Sequence, residues 1–123
     1  MSLTPPLQEL IARHIDSIEA LEILLLLHRA PETSMTAAAI DSRLGLKSGI
    51  AEKRLQILLR TDLVLRETSG AYRYAVTDED LNGRVADLAS AYADRRTAVV
   101  NTVYSENLVR LRAFADAFKV KSE

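Results

Sequence analysis

Cationic and amide side chains gather just past Gly45. Lys47, Ser48, Gly49, Lys53 and Gln56 fall within ten residues, and Arg66 and Arg73 follow on either side of Ser69-Gly70. Ammonium and guanidinium groups neutralise phosphate, and a glutamine amide offers a donor and an acceptor that match a base edge. Thr36 adds a hydroxyl of the kind that reaches a sugar–phosphate backbone. This is a chemistry of holding rather than of bond making.

Arrangements that make or break bonds are missing from the sequence. There is no cysteine, which rules out thiol nucleophiles, disulfides and thiolate metal sites. The four glycines are not spaced as a phosphate cradle, and Gly45-Leu46-Lys47-Ser48-Gly49 matches neither a P-loop nor a dinucleotide fingerprint. No serine sits in a nucleophile elbow. His14 and His28 fall on apolar stripes without a partner at metal-ligand spacing, and read as packed core histidines. Neither a catalytic residue nor a metal or cofactor is expected.

Charge is distributed unevenly. The 123 residues carry a net −1, but residues 36–77 hold seven basic groups against four acidic ones, a net of +3. The segments before and after them come to −3 and −1. A basic surplus confined to one segment is what phosphate contact requires. Composition is that of an ordinary folded domain, 48% hydrophobic and 27% charged. The longest apolar run, Ile23 to Leu27, is five residues, far short of the ~20 that span a bilayer. With no secretion signal at the start, the expectation is a cytoplasmic protein that meets no membrane.

Hydrophobic periodicity supplies the elements that must position these residues. Thr4-Pro5-Pro6 opens a short amphipathic helix. Asp16-Ser17-Ile18-Glu19 reads as a capping box, Asp16 taking the cap and Glu19 reaching back, before a nearly all-apolar helix to about Arg29. A stub of strand at Ser34-Met35-Thr36 precedes a helix over Ala37–Leu44 that stops at Gly45. Lys47 or Ser48 caps the next helix, which continues to about Asp62. With Ala51 at the centre of its buried face, Leu55, Leu58 and Asp62 lie within roughly 40° and Gly49, Lys53, Gln56 and Arg60 fall opposite. Arg54, nearer the core edge, is expected to snorkel or to pair with Glu22 or Asp62 rather than to contact DNA. Leu63–Thr68 and Tyr72–Val76 form a hairpin turning at Ser69-Gly70, with Tyr72 and Tyr74 divided between core and surface.

The order helix, turn, helix, hairpin is the pattern of a winged helix-turn-helix. Residues 15–77 resemble the winged-helix domain of bacterial transcriptional regulators of the MarR and PadR type. The resemblance implies a mostly α fold with a small β-hairpin, a winged-helix domain over 16–77, an N-terminal helix over 1–15, and a C-terminal long helix and final helix over 78–123. It also implies sequence-specific binding of duplex DNA as a homodimer. Lys47, Ser48, Gly49, Lys53 and Gln56 become groove-facing residues, and Thr36, Arg66 and Arg73 backbone contacts. Many such regulators also bind a small aromatic effector, for which an apolar cavity near Tyr92 and Tyr104 is the expected place.

The terminal helices carry a second signal. Leu81, Val85, Leu88, Tyr92, Val99 and Val103 form a stripe ~33 Å long, interrupted at Arg95 and Arg96. A second stripe runs through Val100, Tyr104, Leu108, Leu111, Phe114 and Phe118, and a break is expected near Ser105-Glu106-Asn107. So much apolar surface exceeds what a small core covers, so Leu81, Val85, Leu88, Tyr92, Val99, Val103, Phe114 and Phe118 are assigned to dimerisation. The rival reading is an adaptor that docks a protein through Ile50 and Ile57 and binds no DNA.

Overall fold

A proline has no N–H to lose in a first helical turn. Pro5 and Pro6 accordingly open α1 (Pro5–His14) behind Thr4. The computed structural model describes residues 3–121, with side chains through Ala113 and that of Ala115. Among the described residues it has six helices and one two-stranded antiparallel hairpin, and no helix long and apolar enough to cross a membrane. The remaining elements are α2 (Ile18–Arg29), α3 (Ala37–Leu44), α4 (Ile50–Arg60), β1 (Val64–Arg66), β2 (Tyr72–Tyr74), α5 (Glu79–Asp94) and α6 (Arg96–Lys121).

The centre of the molecule is α2, whose Leu21, Ile23, Leu24 and Leu27 are at most 1% exposed and which touches α3, α4, α5 and β2. Its cap differs from the expected box. Ser17, not Asp16, accepts the Ala20 N–H at 3.0 Å. That places Glu19 at the second helical position, one short of where it could reach back. Glu19 instead pairs with Arg54 at 3.4 Å, so the partner of Arg54 is neither Glu22 nor Asp62.

Thr36 caps α3 by accepting the Ala39 N–H at 3.1 Å, and Gly45 closes it at φ 68°. Helix α4 stops at Arg60, before the expected end. Leu63 N–H bonds back to Leu58 O at 3.0 Å while Asp62 takes a left-handed φ of 64°. This six-to-one closure turns the chain out, so Asp62 is exposed rather than on the buried face.

Strands β1 and β2 are shorter than the runs that announced them, and pair Val64 with Tyr74, Leu65 with Arg73 and Arg66 with Tyr72. Gly70, at φ 91°, completes the turn. Met35 joins the hairpin through two backbone bonds to Tyr72, of 2.9 and 2.7 Å, as an isolated antiparallel bridge. Side chains two apart on a strand share a face; Tyr72 and Tyr74 are both buried, not split between core and surface.

The break in the C-terminal region lies at Arg95 (φ −136°, ψ 53°), and Ser105-Glu106-Asn107 are inside α6. A straight continuation would have driven Arg95 and Arg96 into the core. Breaking there leaves both exposed and re-aims Val99 and Val103 inward. Helix α6 is then locked near its middle to the end of α1. Arg110 donates to the carbonyls of Ile15 (2.9 Å), Ile11 (3.0 Å) and Ala12, and Asn107 donates to Asp16 O at 2.9 Å. A guanidinium so placed satisfies the carbonyls a helix C-terminus leaves open. One core results: Leu7, Leu10 and Ile11 of α1 and Val85, Leu88, Val99 and Val103 of α5 and α6 belong to the same buried cluster as α2 and α4.

Candidate nucleic-acid interface

The surface of interest is built on α4. Ala51, Leu55 and Leu58, fully buried, fix one side of this helix against α2 and α3. Lys53, Gln56 and Arg60 stand exposed on the other side, and Lys47 and Ser48 are exposed in the turn before it. Glu52 is exposed beside them, and its carbonyl accepts the Gln56 Nε2–H at 3.2 Å.

The start of α4 is not capped as expected. Its cap position is Gly49, at φ 90°, which has no side chain to offer. The acceptor comes from α3: Asp41 Oδ2 takes the Gly49 N–H at 3.0 Å and Oδ1 the Ala51 N–H at 2.8 Å. The signal that would have revealed it is a carboxylate beside Ile40 on the inner side of α3, close in sequence to an uncapped helix start.

The eight residues assigned to DNA contact therefore divide. Lys47, Ser48, Lys53 and Gln56 lie open on or just before α4. The Gly49 N–H is engaged by Asp41, and the Thr36 hydroxyl by Ala39. Strand register decides the two hairpin arginines. Arg66 shares a face with Val64, Tyr72 and Tyr74, whereas Arg73 shares the opposite face with Leu65. The two guanidiniums thus leave from opposite sides of the ribbon. Arg66 is exposed, its guanidinium 5.8 Å from the Tyr72 ring centre. Arg73 is half-buried and held by Glu67 at 3.3 Å.

The residues assigned to dimerisation are mostly interior. Val85, Leu88, Val99 and Val103 are at most 1% exposed within a single chain and have no surface to give a partner. Leu81 and Tyr92 are half-buried, and the Tyr92 hydroxyl donates to Glu22 at 3.2 Å beneath the Arg96 guanidinium. The side chains of Phe114 and Phe118 lie outside the described residues. Among the described residues, what α6 leaves open is Tyr104, Leu108, Val109 and Leu111, at 60%, 55%, 58% and 63% exposure. The buried part of a stripe that was expected to be shared between chains lies in the core of one, because α1 and α5 both pack against α6.

A cleft of about 510 Å³ lies beside Tyr92, lined also by Glu22, Leu25, Arg29, Leu44 and Arg96. Tyr104 is not among its walls. His14 is buried in the core, whereas His28 is half-buried at its edge. Burial, assisted at His14 by Arg13, lowers the His14 imidazole below its usual 6.5, and burial lowers His28 likewise. His28 meets Tyr74 edge-on at 5.1 Å, and the Tyr74 phenol is pushed up to about 12 by desolvation. Among the described residues, no three His, Asp or Glu side chains gather as a metal site would need. No protein-family model, curated protein or solved structure matches the chain.

Proposed function

We propose that the chain is a winged helix-turn-helix protein that binds duplex DNA selectively as a homodimer, a transcriptional regulator of bacterial type acting in the cytoplasm. The observation that carries this reading is the exposed side of α4, where Lys53, Gln56 and Arg60 oppose a fully buried apolar face. In the major groove, Lys53 and Gln56 would meet base edges, while Lys47 and Ser48 meet phosphates beside the helix start. Arg66 would reach the backbone from the hairpin, which Met35 extends by a one-residue strand. A second copy would cover Tyr104, Leu108 and Leu111, and the cleft beside Tyr92 is the place for a small aromatic effector.

Fluorescence anisotropy with labelled genomic duplexes at two salt concentrations tests the proposal. Binding is expected to weaken steeply with salt. Lys53→Ala should reduce discrimination between sequences by ~1–3 kcal/mol, and Arg66→Ala should weaken all duplexes alike and lower the salt slope by about 1. Arg73→Ala should do less, since Glu67 already holds that guanidinium. Absence of binding at low salt removes the proposal and favours the adaptor. That second reading draws on Arg73 being paired, and on Ile50 and Ile57 sitting half-buried on one flank of α4.

A further inference from the structure

Asp41 is the one buried carboxylate among the described residues, at 7% exposure. Its surroundings explain why a charge is tolerated there. Oδ1 and Oδ2 accept the backbone N–H groups of Ala51 and Gly49, and its own carbonyl accepts the Leu46 N–H at 2.8 Å. A single residue of α3 thus closes the turn and grips the first residues of α4. Such charge-assisted bonds at the positive end of a helix are the strong kind. Gly49 has no side chain with which to replace them.

Two consequences follow for the face that Lys53 and Gln56 present. Apolar packing of Ala51 and Leu55 fixes the distance of α4 from its neighbours, but non-directional contacts tolerate some rotation and tilt. The paired bonds to Asp41 are directional, and they act at the start of the helix, one turn before Lys53 and two before Gln56. Base contacts demand placement within about 0.5 Å or 10–20°. In addition, the carboxylate sits where an uncapped helix start would take a phosphate. Two of the amides at the start of α4 are thus already engaged, and contact with DNA there falls to side chains.

We infer that Asp41 is the positioning residue of the α4 face: it sets selectivity among duplexes without touching them. The inference rests on the duplex-binding reading above. Asp41→Asn is nearly isosteric, but its amide NH2 must face one of two N–H donors. The preferred duplex and a scrambled duplex of equal length are titrated against the wild-type chain and the variant. The ratio of the two Kd values is expected to fall on the order of tenfold, the worth of one good base contact. Affinity for the scrambled duplex and its salt dependence should stay unchanged, and the Gly49 and Ala51 amides should exchange hydrogen faster. An unchanged ratio in a folded variant overturns the inference, as does an equal loss on both duplexes. A wild-type chain that binds no duplex defeats the underlying reading instead. Should Asp41→Asn fail to fold, Asp41→Ala is titrated in formate and in chloride at equal ionic strength. Formate supplies the carboxylate that the variant lacks; selectivity regained only in formate supports the inference, and none regained in a variant whose far-ultraviolet spectrum is that of the folded chain overturns it.

Discussion

Helices α4 and α6 meet the same problem, how to cover an apolar face, and solve it differently. In α4 the residues Ala51, Leu55 and Leu58 share one side and are fully buried against the chain's own core, while Ile50, Ile57 and Leu59 on its flanks are half-buried. The side opposite the buried residues is polar. In α6 the apolar residues occupy two faces. One, through Val99 and Val103, is covered by the chain's own core, while the other, through Tyr104, Leu108 and Leu111, stays in solvent. The first helix has its buried face covered by its own chain, whereas the second keeps large apolar side chains in solvent.

The sharpest way to break the comparison is to damage the side of α4 that is finished. Leu55→Ala should destabilise the chain by about 2–5 kcal/mol, because a fully buried leucine leaves a cavity. Chemical denaturation measures it, and a loss below about 1 kcal/mol would mean that α4 is not the rigid member of the pair. Removing the lock on the covered half of α6 comes next. Arg110→Ala frees the Ala12 and Ile15 carbonyls and removes a second bond to that of Ile11, and should cost about 2 kcal/mol. Amides of α1 should lose protection from hydrogen exchange before those of α4.

Acid should act more gently and on the core rather than on either exposed face. His14 and His28 both have folded pKa values below 6.5, so the unfolded chain binds protons that the folded one does not. Stability should be full above pH 6.5 and fall as the pH drops towards the lowered folded values. Thermal melts from pH 8 to 5 measure this, and a rise in stability on acidification would contradict it. The smallest effect on folding is expected from Leu108→Glu, within about 0.5 kcal/mol, since the position is already half in solvent. Its effect on mass should nonetheless be decisive. Light scattering should find a dimer in the wild-type chain and a 13.6 kDa monomer in the variant.

Much of the molecule could be read from pattern because the interactions concerned are local. The start of α1 at a proline pair, the left-handed stop at Gly45, the two faces of α4 and the turn before Tyr72 all follow from neighbouring residues. Ser17 replaced Asp16 as a cap because a shift of one position costs a sequence pattern nothing, whereas backbone geometry distinguishes the two. The break at Arg95 was misplaced to Ser105 for a different reason: a plausible cap at Ser105 outweighed two arginines whose burial only the assembled core forbids. Arg66 and Arg73 looked equivalent on the two arms, and register alone sends them to opposite faces.

By itself, then, the amino-acid order determined the helices, the hairpin and the polar side of α4, since periodicity and turn chemistry act over a few residues. Only the tertiary structure decided that Asp41 caps a helix ten residues away, that Glu67 holds Arg73, and that Val85 to Val103 close one chain's core rather than join two. Those outcomes depend on which surfaces come together in space, a quantity that no local pattern contains.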